Sequence, residues 1–281
     1  MKRPWFPSST LSRRGWLARA ALWPRRWTAG LRPLPDFLVI GAQRAGTTSL
    51  FRSLESHPQV LAAPIKEVHY FDTHADFDES WYRSHFPLRR RECKAGEATP
   101  YYLFHPRCPA TVHAMVPGVR LIAVLRDPVE RAVSQFRHEV RRGFETERDL
   151  ATAIDLESSR MQGEEQRLLQ DPSYFSHAHN HASYLARGEY ARQIRAWLEF
   201  FPREQLLVLV SERMFADPSR ELARAQEHIG VTVRELGDFP HFNGAGKAEL
   251  EDGLRRRLVE HFRPHNRELY ELLGEDLGWE A

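Results

Sequence analysis

Cysteine is scarce in this chain of 281 residues: Cys93 and Cys108 are the only two, and they lack the spacing of a metal-ligand pair. Two thiols make no disulfide framework, so a reducing compartment is the simpler expectation and the chain is read as cytoplasmic. A run of 18 apolar residues is also missing, so no transmembrane helix is expected. Net charge is nearly absent, with 40 basic against 38 acidic residues. That balance excludes a general polyanion binder such as a nucleic-acid-coating protein, and any anion site must be local. Internal repeats and low-complexity linkers are absent too.

One segment lacks acidic residues altogether. From Met1 to Pro33 there is no Asp or Glu, while Arg and Lys recur. Ser12-Arg13-Arg14-Gly15-Trp16-Leu17 is similar to a twin-arginine export signal, but the apolar stretch that follows, Ala20 to Trp23, is cut short by Pro24-Arg25-Arg26. Residues 1–34 are therefore read as a loosely ordered basic tail. Trp5, Trp16, Trp23 and Trp27 offer the functional alternative, peripheral contact with an anionic membrane surface.

What is present suits a globular domain over 35–281, since 42% hydrophobic and 28% charged residues allow a core without covalent staples. Asp36–Ile40 is a short apolar run bounded by Pro35 and Gly41, and it reads as a buried strand. A helix is expected over Thr48–Ser56, and a β-like stretch over Val60–Phe71. Val119–Leu125 is the clearest buried strand, followed by a helix to Arg142 with Asp127 as its cap and Pro128 in its first turn. Residues 145–181 are polar and weakly periodic, and read as a helical or looped insertion. Ser183–Phe200 is helical in pattern, Gln205–Val210 is a strand, and Asp217-Pro218 starts a helix to Ile229. Leu250–Phe262 and Asn266–Leu273 are expected as two closing helices separated by Pro264. Short apolar strands alternating with helices predict an α/β chain: a P-loop-like three-layer fold with a central, mainly parallel sheet flanked by helices.

Two motifs carry chemistry. Gly41-Ala42-Gln43-Arg44-Ala45-Gly46-Thr47-Thr48 joins strand to helix with its glycines at Walker A spacing. Such a loop turns backbone N–H groups and a helix N-terminus toward a phosphate. Thr47 stands where the Walker lysine would be, and Arg44 supplies a cation from inside the loop, so an anion other than a conventionally handled triphosphate is expected. The second motif is Arg126-Asp127-Pro128-x-x-Arg131-x-x-Ser134. Arg126 ends the best strand, where open α/β sheets bind ligands, and its planar fork suits phosphate. Lys66-Glu67-Val68-His69 follows a β-like run. If the chain stays extended there, Glu67 and His69 project to one side.

GAQRAGTTSL followed by RLIAVLRDPVERAVSQF resembles the sulfotransferases that use 3′-phosphoadenosine 5′-phosphosulfate (PAPS), and most of all the heparan sulfate 3-O- and N-sulfotransferase branch with its bacterial relatives. KEVHYFD (Lys66–Asp72), GEATPYY (Gly96–Tyr102), WLEFFP (Trp197–Pro202) and the closing LLGEDLGW extend the resemblance from Pro35 to Trp279. It implies that Gln43, Arg44, Ala45, Gly46, Thr47 and Thr48 hold the 5′-phosphosulfate. It also implies that Arg126 and Ser134 hold the 3′-phosphate, that Lys247 lies in a later cofactor loop, and that no metal takes part. Glu67 would be the general base, His69 its support, and Arg44 the cation facing the leaving phosphate. The implied acceptor is a hydroxyl or amine on a glycan, a lipid or a small hydroxylated molecule. Tyr70, Phe71, Tyr101 and Tyr102 are candidates to stack on it, with Phe71 better suited to the core.

Departures from that branch are informative. Arg44 replaces its usual lysine, Ala98 stands where the animal enzymes carry a lysine, and no cysteine follows Cys108 to make their late disulfide. A signal-anchor helix is not evident either. Together these imply a cytosolic, bacterial-type relative with a different acceptor. Two alternatives are a P-loop kinase-like phosphotransferase and a non-catalytic binder of nucleotides or sulfated ligands. His177, His179 and His181 read as a solvated loop rather than a metal site.

Overall fold

The computed structural model describes residues 22, 24–237, 239 and 250–279. Lys247 lies outside the described residues, as do Trp5, Trp16, Trp23 and the twin-arginine motif. Among the described residues five strands form one all-parallel sheet: β1 (Phe37–Gly41), β2 (Val60–Ala62), β3 (Lys94–Ala98), β4 (Arg120–Leu125) and β5 (Leu206–Val210). Their order is β2-β3-β1-β4-β5. The chain leaves β1 for one edge, returns through β3, and continues beyond β1 to β4 and β5. The carboxyl ends of β1, β3 and β4 thus lie side by side, at the point of such sheets where ligands bind.

Helices cover the sheet: α1 (Thr47–Glu55), α2 (Glu79–Arg83), α3 (Cys108–Met115), α4 (Pro128–Arg142), α5 (Leu150–Met161), α6 (Glu164–Gln170), α7 (His177–His181), α8 (Tyr190–Leu198), α9 (Ser211–Ala216), α10 (Pro218–Ile229) and α11 (Asp252–Leu273). β1 is buried at every position and apolar on both faces, as a strand between two helical layers must be. α4 begins where the sequence said it would. The Asp127 carboxylate accepts from the N–H groups of Val129 and Glu130, and Gly143 closes the helix at φ 74°. A main core surrounds the sheet, and a smaller one joins α4, α5 and α11 through Val133, Phe136, Ile154, Tyr184 and Phe262. The second core ties the 145–181 segment, which holds α5, α6 and α7, to the body.

Four expectations are corrected. The β-like stretch from Val60 ends as a strand at Ala62, because Pro64 cannot donate to the ladder. β3 escaped the reading because KAGEA has no apolar run; its place is fixed by Gly96, where an added Cβ would lie 2.2 Å from the Phe37 ring. α11 is one helix with Pro264 inside it, held together by the buried Leu258, Phe262, Asn266 and Leu269 on both sides of the proline. The helix expected from Ser183 is split into a 3-10 turn, Ala186–Gly188, and α8. Within the basic segment, Pro24–Leu31 forms a 3-10 helix packed on α2, where Arg25 and Arg32 both donate to the Phe86 carbonyl. Trp27 is 89% exposed on it. No helix among the described residues is long and apolar enough to cross a membrane.

Gly96→Ala is expected to lower stability by about 1–3 kcal/mol, through the clash with Phe37 between β3 and β1. Urea unfolding of the two proteins checks this.

Candidate functional site

The loop after β1 is shaped by its neighbours. Gly46 precedes α1 at φ 94°, a left-handed conformation that favours glycine. Arg44 also adopts a left-handed conformation, φ 70°. Its guanidinium leaves the loop toward α4, where Nε donates to Ser134 Oγ at 3.0 Å and Nη1 lies 3.5 Å from His138 Nδ1. Arg126, at the end of β4, donates to the Arg44 carbonyl at 3.3 Å. Two motifs some eighty residues apart are therefore one site. Burial pushes the Arg44 guanidinium below its usual value, and the like charges of Arg141 and Arg126 add to the effect. Crowded, partly desolvated cations of this kind are relieved by an anion.

Arg44, Arg126 and His138 line a cavity of about 240 Å³ together with Thr47 and Thr48 at the start of α1, Lys66, Glu67 and Arg142; Ser134 is not on its wall and joins it through Arg44. Arg131, although on the same helix as Ser134, is not part of it. It is fully buried and donates to Gln135 Oε1 and the Tyr184 carbonyl, bracing the insertion.

Glu67 and His69 do not lie on an extended strand. Both have positive φ, 63° and 56°, so alternation along a strand does not bring them together. A compact turn does. It is docked on the end of β3: Glu67 N–H donates to the Ala98 carbonyl, His69 N–H to Thr99 Oγ1 at 3.4 Å, and Tyr70 N–H to Tyr102 Oη at 2.9 Å. Beneath it, the buried Glu97 carboxylate accepts from Thr99 Oγ1 at 2.6 Å, Tyr102 Oη at 2.8 Å and Tyr82 Oη at 3.1 Å. Burial raises the Glu97 carboxyl above its usual value, against the pull of these hydroxyls.

On the turn, His69 Nδ1 meets Asp72 Oδ2 at 2.7 Å, and His69 Nε2 lies 3.7 Å from Glu67 Oε2. Lys66 Nζ is 2.8 Å from the other Glu67 oxygen. Burial works against a charged imidazole, but the Asp72 carboxylate, and after it Glu67, overcome that and raise His69 to about 10. Desolvation likewise opposes ionisation of Glu67. His69 and Lys66 outweigh it and hold the carboxyl well below the usual carboxylate range.

A second cavity, of about 340 Å³, opens on the other side of Glu67 and shares Gln43, Glu67, Pro100, His138 and Arg142 with the first. Its far wall is aromatic and histidine-rich, with Tyr101, Phe144, Phe175, His177 and His181. The three alternating histidines are thus not a solvated loop. They form α7, with His179 buried and hydrogen-bonded to Tyr101 Oη and its two neighbours facing the cleft. Tyr70, Phe71 and Tyr102 belong to the main core, and of the four aromatic candidates Tyr101 alone reaches the cleft.

Sequence reasoning passed over Arg187. It is buried, donates to Gln43 Oε1 at 2.6 Å, to the carbonyls of His179 and Asn180, and lies over the Tyr101 ring. Burial lowers it to about 10. It supports the loop residue that separates the two cavities, and no local motif marks it. Asp72 was within reach, since it closes the KEVHYFD motif.

A loop of phosphate-binding shape, a cluster of arginines and a carboxylate on the wall between two cavities are the geometry of a group-transfer enzyme. Residues 34–263 match the family model described as a sulfotransferase domain, and the chain belongs to the sulfotransferase family. Human heparan sulfate glucosamine 3-O-sulfotransferase 3B1 is 31% identical over 90% of this chain, which spans about two thirds (66%) of that protein. Human heparan sulfate glucosamine 3-O-sulfotransferase 6 is 30% identical over 97% of the chain and 80% of its own length. A sulfotransferase from Alicyclobacillus acidocaldarius has the same fold, with a TM-score of 0.74 and 29% identity over 89% of this chain and all of that one. The expected parallel sheet flanked by helices is the fold they share, and the kinase-like and non-catalytic readings are set aside.

Asp72→Asn is expected to bring the His69 pKa down from about 10 toward the ordinary 6.5. Because the folded value is the raised one, the stability this pair supplies is complete below about pH 6.5 and is lost as pH rises through about 10. Titration of the His69 imidazole by NMR, with denaturation at pH 6 and pH 10, checks both statements: the variant loses stability chiefly at pH 6.

Proposed function

We propose that the chain transfers a sulfonate group from PAPS, held in the arginine-lined cavity, to a hydroxyl or amine of an acceptor in the adjoining cleft. The observation that carries this reading is the position of Glu67 on the wall common to both cavities. The loop from Gln43 to Thr48 is suited to the 5′-phosphosulfate, and Arg126 with Ser134 to the 3′-phosphate. Arg44 bonds Ser134 and Arg126 bonds the Arg44 carbonyl, so the two groups of residues act as one clamp.

Glu67 accepts the acceptor's proton as its oxygen or nitrogen attacks sulfur. The bond from sulfur to the phosphate oxygen breaks, and the electron pair leaves on the nucleotide. Negative charge grows on that phosphate, where Arg44 and Lys66 are fixed cations in a partly desolvated site. Lys66 and His69 keep Glu67 ionised at neutral pH, and Asp72 fixes the His69 ring. A sugar ring of a glycan or glycolipid, or a small hydroxylated molecule, suits a cleft walled by Phe144, Phe175 and Tyr101.

Calorimetry with 3′-phosphoadenosine 5′-phosphate, against AMP and ATP with magnesium, tests the donor; transfer of label from PAPS to an acceptor panel tests the reaction. Selective binding of the bisphosphate, weakened at least tenfold in Arg126→Ala, is expected. Glu67→Gln is expected to bind it within about twofold of the parent and to lose roughly 10²–10⁴-fold in kcat. Preference for ATP with magnesium, or full turnover by Glu67→Gln, sinks the proposal.

A further inference from the structure

We infer that Glu189, His261 and His265 form a site for a divalent transition metal, best suited to Zn(II), outside both cavities. His261 and His265 are four apart on α11 and so share one face of that helix. Glu189 comes from the start of α8, and its side chain meets both histidines. His261 Nε2 lies 3.4 Å and His265 Nε2 3.7 Å from the same oxygen, Glu189 Oε1, and the three ligand atoms fall within 4.8 Å of one another. Zinc bonds of about 2.0–2.1 Å at tetrahedral angles separate neighbouring ligand atoms by about 3.3 Å, so the group needs little rearrangement to close on an ion.

A second observation points the same way. His261 Nε2 is shielded from solvent, and its contact with Glu189 Oε1, at 3.4 Å, is longer than an ordinary hydrogen bond. A buried polar atom left so calls for a partner, and a metal supplies one. All three side chains remain between a fifth and a third exposed, so an ion has a way in. The donor set of two imidazoles and one carboxylate leaves a fourth position for water, and imidazole favours Zn(II), Cu(II) or Ni(II) over Mg(II) or Ca(II). Arg192 is the cation near Glu189, and it is engaged by Glu165.

The site ties two elements some seventy residues apart. Glu189 directly follows Gly188, whose backbone packs so closely on Phe262 of α11 that an added Cβ would lie 2.5 Å from that ring. One residue earlier is Arg187, which holds Gln43. Metal binding therefore fastens the turn that carries Arg187 to α11.

The test uses the full chain without a histidine tag, stripped with chelator, then titrated with Zn(II) by calorimetry and with Co(II) by visible absorption. One ion per chain is expected, with the intense bands of tetrahedral Co(II). Zn(II) at a hundredfold excess over Kd is expected to raise the unfolding midpoint by roughly 5 °C. Glu189→Gln and His265→Gln should each weaken binding at least tenfold and reduce the midpoint shift. Retained binding of 3′-phosphoadenosine 5′-phosphate shows that these variants are folded. Absence of a Zn(II)-dependent shift in the parent, or equal Zn(II) affinity in the Glu189→Gln/His265→Gln double variant, overturns the inference.

Discussion

A buried carboxylate holds the reactive turn in place. Glu97 sits at the end of β3 with no exposure to solvent and accepts hydroxyl hydrogen bonds from Thr99, Tyr102 and Tyr82. Two of those donors then receive backbone N–H groups from the turn above, His69 onto Thr99 and Tyr70 onto Tyr102. The left-handed conformations of Glu67 and His69 are unfavourable for side chains with a Cβ. They persist because the layer beneath fixes the backbone on either side of them. A carboxylate left in this place without its hydroxyls would carry a large desolvation cost, so the three donors and the turn stand or fall together.

Above this layer the site is an ordered sequence of charges. Asp72, His69 and Glu67 alternate in sign, and Lys66 closes the row at the arginine-lined cavity. Asp72 stabilises the charged His69 ring, and His69 and Lys66 hold the half-exposed Glu67 carboxylate ionised. On the opposite side Arg44 and Arg126 are drawn together, Arg126 donating to the Arg44 carbonyl, and like charges crowded in this way suit a phosphate or sulfonate oxygen.

Much of this was legible in the sequence, and what was not has identifiable causes. The apolar runs of β1, β4 and β5 and the Asp-Pro caps of α4 and α10 are local signals, and local signals placed those elements well. The two motifs after β1 and β4 are local signals as well, and the structure brings them together. β3 was hidden because its stability comes from Gly96 fitting Phe37, a contact between strands far apart in the chain. The pairing of Glu67 with His69 was anticipated through the wrong geometry: Pro64 marks the end of the strand, but nothing local reveals the turn that replaces it. Pro264 misled in the other direction: burial on both sides of it outweighs the lost hydrogen bond. Arg187 and the cleft aromatics Phe144 and Phe175 gave no signal because their partners lie in other segments.

The wall between the two cavities has a consequence for traffic. Neither cavity is enclosed, and Gln43 and Glu67 stand between them as a partition rather than a floor. On the proposed reading, donor and acceptor would therefore sit on different sides of Glu67, and neither would have to pass the other to leave.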